Sequence, residues 1–189
     1  MKILVCLLEE PSAKEMLKAV LPKVLPSNVD VRYMVFEGKQ DLEKNLERRL
    51  RAWQQPKTCF LVMRDQDSGN CISIKNGLAA KIRESGKSSV SLIRVACREL
   101  ESFYLGDLAA VEQGLKLKNI SKLQTKSKFR TPDKLRNPVM ELERITQGTY
   151  QKVQGSRRIS PFLKLDGTNA SVSFNALICG LQKLSSREA

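Results

Sequence analysis

The segment Phe60-Leu61-Val62-Met63-Arg64-Asp65-Gln66-Asp67-Ser68-Gly69 runs an apolar strand pattern into two carboxylates spaced by one residue. Carboxylates that close repel one another unless a cation lies between them. Hard oxygen ligands of this kind suit Mg²⁺ or Mn²⁺. The carboxyl end of a buried strand is also where open α/β sheets place ligand sites. The same residue types make an ordinary polar turn that caps the next helix, so the D-x-D needs support from elsewhere in the chain.

Two further acidic groups supply it. Glu9 and Glu10 follow the apolar run Ile3–Leu8, and Glu99 and Glu101 follow the apolar pattern that ends at Ala96. In a parallel sheet whose first and third strands are neighbours, the loops after these strands open on one edge. Carboxylates converging there from separate strand ends can build a divalent-metal phosphoryl-transfer site. The ordinary alternative is acids drawn to helix N-termini by the dipole, a reading that suits Glu99 and Glu101 well. The chain has no histidine. That excludes Ser-His-Asp and Cys-His nucleophile activation, HExxH zinc sites, HNH-type nucleases and the deaminase zinc motif. Gly86-Lys87-Ser88 is not a phosphate loop, because Lys81 stands where the first glycine is required and a strand follows rather than a helix. Asp65-Gln66-Asp67 is not a calcium loop either, with Asn70 at the glycine position and Asn76 at the final glutamate.

The elements that must hold these residues follow from hydrophobic periodicity. Strands are expected over 2–8, 30–36, 58–63 and 89–96. Helices are expected over 12–21, 39–53, 72–85 and 98–108, the second with a stripe of Leu42, Leu46, Leu50 and Trp53. Strands alternating with helices over short connections predict an α/β fold with a largely parallel sheet covered on both faces. The regularity ends near Gly114. An α/β core over 1–112 and a basic, mostly helical extension over 113–189 packed on it are expected, with residues 116–136 mobile and a final helix over 173–184.

The 189 residues suffice for one domain with a real core. No apolar stretch approaches the ~20 residues that span a bilayer. The five cysteines are scattered, with no C-x-x-C, which reads as reduced thiols in the cytoplasm. Net charge is +13, and Lys116 to Lys164 holds thirteen basic residues against three acidic ones. A basic stretch beside an acidic metal site suits a protein that handles phosphodiesters, and Lys126, Lys128, Arg130, Arg157 and Arg158 are its candidate nucleic-acid contacts. A solubilising surface, or one for an acidic protein partner, is the alternative.

Leu8-Glu9-Glu10-Pro11-Ser12 and Arg64-Asp65-Gln66-Asp67 resemble the Toprim domain of topoisomerases, primases and overcoming-lysogenization-defect nucleases. That domain has a Glu after its first strand and a D-x-D after its third. Arg98-Glu99-Leu100-Glu101-Ser102-Phe103-Tyr104-Leu105-Gly106-Asp107 and Gly155-Ser156-Arg157-Arg158-Ile159-Ser160-Pro161 resemble a narrower group. These are compact Toprim-like proteins of unassigned function, often encoded beside recombination-type ATPases in bacterial defence loci. The resemblance implies a Toprim-like fold and a Mg²⁺- or Mn²⁺-dependent nuclease, the effector of an ATPase-gated antiviral system. Asp65 and Asp67 would hold the metal, Glu9 would act as general base or second-metal ligand, and Glu99 or Glu101 would complete the set. The family's Glu is usually followed by Gly, where Glu10 stands, so the choice between Glu9 and Glu10 is open. Two other functions fit the same residues: a phosphatase with Asp65 as nucleophile, and a non-catalytic subunit that binds nucleic acid or a partner. Oligomeric state is not legible.

Overall fold

The computed structural model describes residues 2–186. Its first half alternates strand and helix: β1 (Lys2–Leu8), α1 (Pro11–Val24), β2 (Val29–Val35), α2 (Lys39–Arg51), β3 (Thr58–Asp65), α3 (Cys71–Glu84) and β4 (Ser91–Ala96). The four strands form one all-parallel sheet in the order β2-β1-β3-β4. Parallel strands need crossovers, and the helices that supply them cover both faces. The central strands are therefore apolar without alternation: β3 is buried along its whole length, while edge strand β2 is only half-buried. This is the α/β class expected from the sequence, and the class that the Toprim resemblance implies.

Strand parity sorts the core into two layers. Leu4, Cys6 and Leu8 of β1 and Cys59, Leu61 and Met63 of β3 face α1 and the C-terminal helices. Ile3, Val5 and Leu7 with Phe60 and Val62 face α2 and α3, where Leu42, Leu46, Leu50, Leu78 and Ile82 meet them. The α2 stripe is thus core, and a Trp53 edge-to-face contact with Phe60 closes its end.

Beyond β4 the chain folds as α4 (Glu101–Leu105), α5 (Leu108–Leu115), α6 (Ser127–Arg130), α7 (Pro138–Ile145), α8 (Lys152–Ile159) and α9 (Val172–Ser186), with short 3₁₀ turns between them. The single helix expected over 98–108 is instead two. Asp107 breaks it by turning its carboxylate onto the amide of Ala110, which caps α5, and onto that of Lys164. Gly106 lets the break pack closely, because a Cβ there would stand 2.0 Å from Asn169 Oδ1. The segment 116–136, expected to be mobile, is tied down. Phe129 is fully buried, and the Gln124 amide donates to Leu105 O and Phe129 O while accepting from Leu108 N. One hydrophobic cluster runs from β1 through Phe129, Leu142 and Tyr150 to Leu184, so the basic extension shares the core of the sheet.

Candidate acidic site

In the order β2-β1-β3-β4 the chain moves to one side of β1 and then to the other, so the switch point lies between β1 and β3. The crevice beyond the carboxyl ends there is the preferred ligand position of open α/β sheets. Glu9 leaves β1 and Asp65 ends β3. The Glu9 amide donates to Met63 O at 3.2 Å, and Glu9 Oε2 accepts the Asp65 amide at 2.9 Å.

Asp65 has the parity of Cys59, Leu61 and Met63, so it faces inward toward α1 and the C-terminal helices. It is buried, and its carboxyl is held well above the usual range. Burial is the main cause; the neighbouring carboxylates Glu10, Glu101 and Glu9 add to it, and a bond from the Leu100 amide opposes it. Glu101 is fully buried. Its Oε1 accepts a 2.7 Å bond from the Tyr150 hydroxyl, and its Oε2 has no hydrogen-bond partner. Burial pushes its pKa up to about 7 despite the Tyr150 bond. Glu9 is also raised by burial, against the Asp65 amide and Arg64 and with the help of Asp67 and Glu10. Glu10 accepts from the Ser12 hydroxyl and from Lys152 Nζ at 3.4 Å. Partial burial works against the charge on Lys152, yet Glu101, Glu10 and Asp65 hold its pKa above the ordinary value.

Arg64 has the opposite parity and faces α2. Its guanidinium is buried and bonds Asp65 O at 2.8 Å. It is paired with Glu43, lies 3.9 Å from Glu9 Oε2 and 3.5 Å from Asp67 Oδ2. On a continued strand, Asp67 would share the face of Asp65. Instead it adopts the left-handed conformation (φ 53°) and meets Lys39 Nζ at 2.6 Å. Arg98, also left-handed (φ 65°), accepts the Asp67 amide at 2.7 Å and returns a 3.2 Å bond from its guanidinium to Asp67 O. Strained backbone of this kind concentrates at functional sites. The D-x-D is therefore parted: Asp65 faces Glu10 and Glu101, while Asp67 faces Lys39 and Arg64.

Of the other expected site residues, Glu99 stands apart. Its Oε2 accepts the Val139 amide at 2.8 Å and caps α7, a helix distant in sequence rather than the one that follows β4. Among the basic candidates, Lys128 is paired with Glu141 and Arg157 with Glu15, and Arg158 bonds Gly114 O. Lys126 and Arg130 are exposed. Sequence reasoning missed Tyr150, Lys152, Arg64 and Lys39. Only Arg64 carried a legible signal: a charged residue of strand parity opposite to Asp65, inside an otherwise apolar run.

Among the described residues, no group of three or more acidic or thiol side chains forms a ready ligand set. Mg²⁺ asks for less, since it keeps several waters and is commonly held by one or two carboxylates. The hard-oxygen character of Asp65 and Glu101, their mutual repulsion and the unpartnered buried Oε2 of Glu101 fit such an ion.

A family model described as a domain of unknown function (DUF4276) matches residues 8–182. No curated protein and no solved structure matches the chain.

Proposed function

The chain belongs to the DUF4276 family, and we propose that it is a divalent-metal-dependent nuclease whose site is the acidic crevice at the β1–β3 switch point. The observation that carries this reading is the pair of buried carboxylates, Asp65 and Glu101, one of which leaves an oxygen unpartnered. Buried acids with raised pKa destabilise a fold; Lys152 offsets this only in part, and a bound cation removes the remaining penalty. Asp65 and Glu101 would hold the ion, with Glu9 or Glu10 beside them. A bound divalent ion would supply Lewis-acid stabilisation of a phosphodiester and lower the pKa of a water. Glu9 is oriented for a proton-handling role: the Asp65 amide fixes one oxygen, and its raised pKa brings it nearer to the operating range of a general base. Lys152, held charged at the rim by three carboxylates, provides a cation toward which a phosphate can lean.

The wider setting is part of the same proposal. Among the described residues no helix is long and apolar enough to cross a membrane, and all five cysteines are free thiols; both accord with a cytoplasmic protein. The Toprim resemblance adds an ATPase partner and a role in antiviral defence. One observation favours a second reading, a Toprim-like subunit that binds nucleic acid without cutting it: Asp67 is occupied by Lys39 and Arg64 rather than facing Asp65. Incubation of the protein with plasmid and total RNA in Mg²⁺ or Mn²⁺ separates the two. Cleavage that Asp65→Ala and Glu101→Gln abolish supports the nuclease; nucleic-acid binding without cleavage, with and without an ATPase partner, supports the second reading.

A further inference from the structure

We infer that the cleft between Arg98 and Arg136 is the subsite that holds the phosphate backbone of a nucleic acid next to the acidic crevice, an assignment that rests on the nuclease reading. The cleft is lined by Asp67, Ser68, Arg98, Glu99, Arg136 and Asn137. It is framed by the loop after β3, the turn after β4 and the segment before α7, so one wall is the D-x-D loop itself.

The charges in this cleft decide what it can take. Its two carboxylates are already engaged. Asp67 meets Lys39 and Arg64, and Glu99 accepts the Val139 amide. The two guanidiniums are left to set the local sign. Arg136 is exposed, and among the described residues no ion pair is found for it. Arg98 gives one N–H to Asp67 O and keeps its others. A planar guanidinium fork matches phosphate oxygens bidentately. Ser68 and Asn137 add neutral donors at the same rim.

Arg98 is also held in place before any ligand arrives. Its carbonyl accepts the Asp67 amide, its amide bonds Gln66 Oε1 at 3.2 Å, and its backbone is fixed in the left-handed region. A group ordered in advance loses less freedom on binding. Three of the basic candidates lack this freedom, since Lys128, Arg157 and Arg158 are engaged within the protein. A phosphodiester chain crossing Asp65 and Glu101 past Lys152 would find further anchoring charges at Arg98 and Arg136.

The test uses fluorescein-labelled single-stranded DNA and RNA of the same sequence, with the full chain in EDTA so that binding is read without cleavage. Anisotropy titrations run from low to physiological salt. Arg136→Gln, at an exposed position, should weaken binding about fivefold to tenfold and lower the salt slope by about 0.7–0.9, as loss of one phosphate contact requires. Arg98→Gln should do the same, and the double variant should combine the two losses. Lys126→Gln with Arg130→Gln should change less. Equal effects on DNA and RNA mark a backbone contact, and an effect confined to one of them assigns the subsite to that polymer. Unchanged affinity and slope in Arg136→Glu would overturn the assignment, as would displacement of the oligonucleotide by poly-glutamate at equal charge concentration. Wild-type cleavage that survives such a result would leave the nuclease reading standing. Arginine-dependent binding with no cleavage under any metal would sink that reading and keep the subsite as a binding surface.

Discussion

Asp65 and Glu101 show how strand parity turns a turn-like acidic motif into a buried acid site. Parity sends Asp65 inward, where its carboxylate is buried within the electrostatic reach of Glu10 and Glu101. The penalty appears as a pH dependence with a definite sign. Folded Glu101 keeps its proton up to about 7, whereas the unfolded chain releases it near the ordinary carboxyl value of 4.5. Across that window the folded state binds more protons, so stability falls as pH rises, and the contribution is lost above about 7. Asp65, also raised, acts in the same direction. Glu15, held low by its bond from Arg157, acts oppositely but at more acid pH. Thermal melts of the metal-free protein should therefore give a higher Tm near pH 5 than near pH 8. Glu101→Gln, which keeps an acceptor for Tyr150, should flatten that difference and raise Tm at pH 8. A Tm that climbs from pH 5 to 8 would contradict the burial of these acids.

At the scale of elements, α8 and α2 act on the site from opposite faces of the sheet. Helix α8 seats Tyr150 against Gly155, where a Cβ would stand 2.4 Å from the tyrosine ring. Gly155→Ala forces the ring, and with it the partner of Glu101, out of place. It should lower stability by about 1–3 kcal/mol, as overpacking does, measured by urea denaturation; an unchanged midpoint would show that the helix shifts freely. Helix α2 holds Asp67 through Lys39, an exposed pair worth about 0.2–1 kcal/mol. Lys39→Met removes one of the two cations on Asp67, leaving Arg64 at 3.5 Å, and should raise Mn²⁺ affinity by about 1.4-fold to 5-fold in calorimetric titration, the same energy read as a binding ratio. Weaker Mn²⁺ binding in that variant would mean that Lys39 orders the site rather than diverting its second aspartate.

At the scale of the molecule, the charge of +13 is not one nucleic-acid face. Part of it is paired within the fold, and the exposed remainder of the basic stretch includes Lys126 and Arg130. Under the proposed ATPase gating, that remainder would dock an acidic face of the partner. Under the proposed gating, the partner would release Asp67 from Lys39 and Arg64, which hold it away from Asp65. The free chain is therefore expected to be weak or silent as a nuclease. Its expression alone in cells should be tolerated, while co-expression with the triggered ATPase should be toxic in a way that Asp65→Ala relieves. Asp65-dependent toxicity without any partner would refute gating.

Local sequence determined a good deal of this protein. Uninterrupted apolar strands alternating with amphipathic helices fixed an all-parallel sheet, because strands buried on both faces need helical crossovers. The acids placed after β1, β3 and β4 could only emerge at one end of such a sheet. What the tertiary structure alone decided are relations between residues far apart in the chain. Tyr150 and Lys152 reach Glu101 and Glu10 across more than forty intervening residues, contacts that only the packing of α8 creates. Asp67 parts from Asp65 because its backbone bonds to Arg98 and its carboxylate to Lys39 hold a left-handed turn that no local rule demands of Asp. Glu99 and Glu101 read alike in sequence, yet one caps α7 and the other is buried beside Asp65. The difference comes from where the tertiary fold sets α7 and Tyr150.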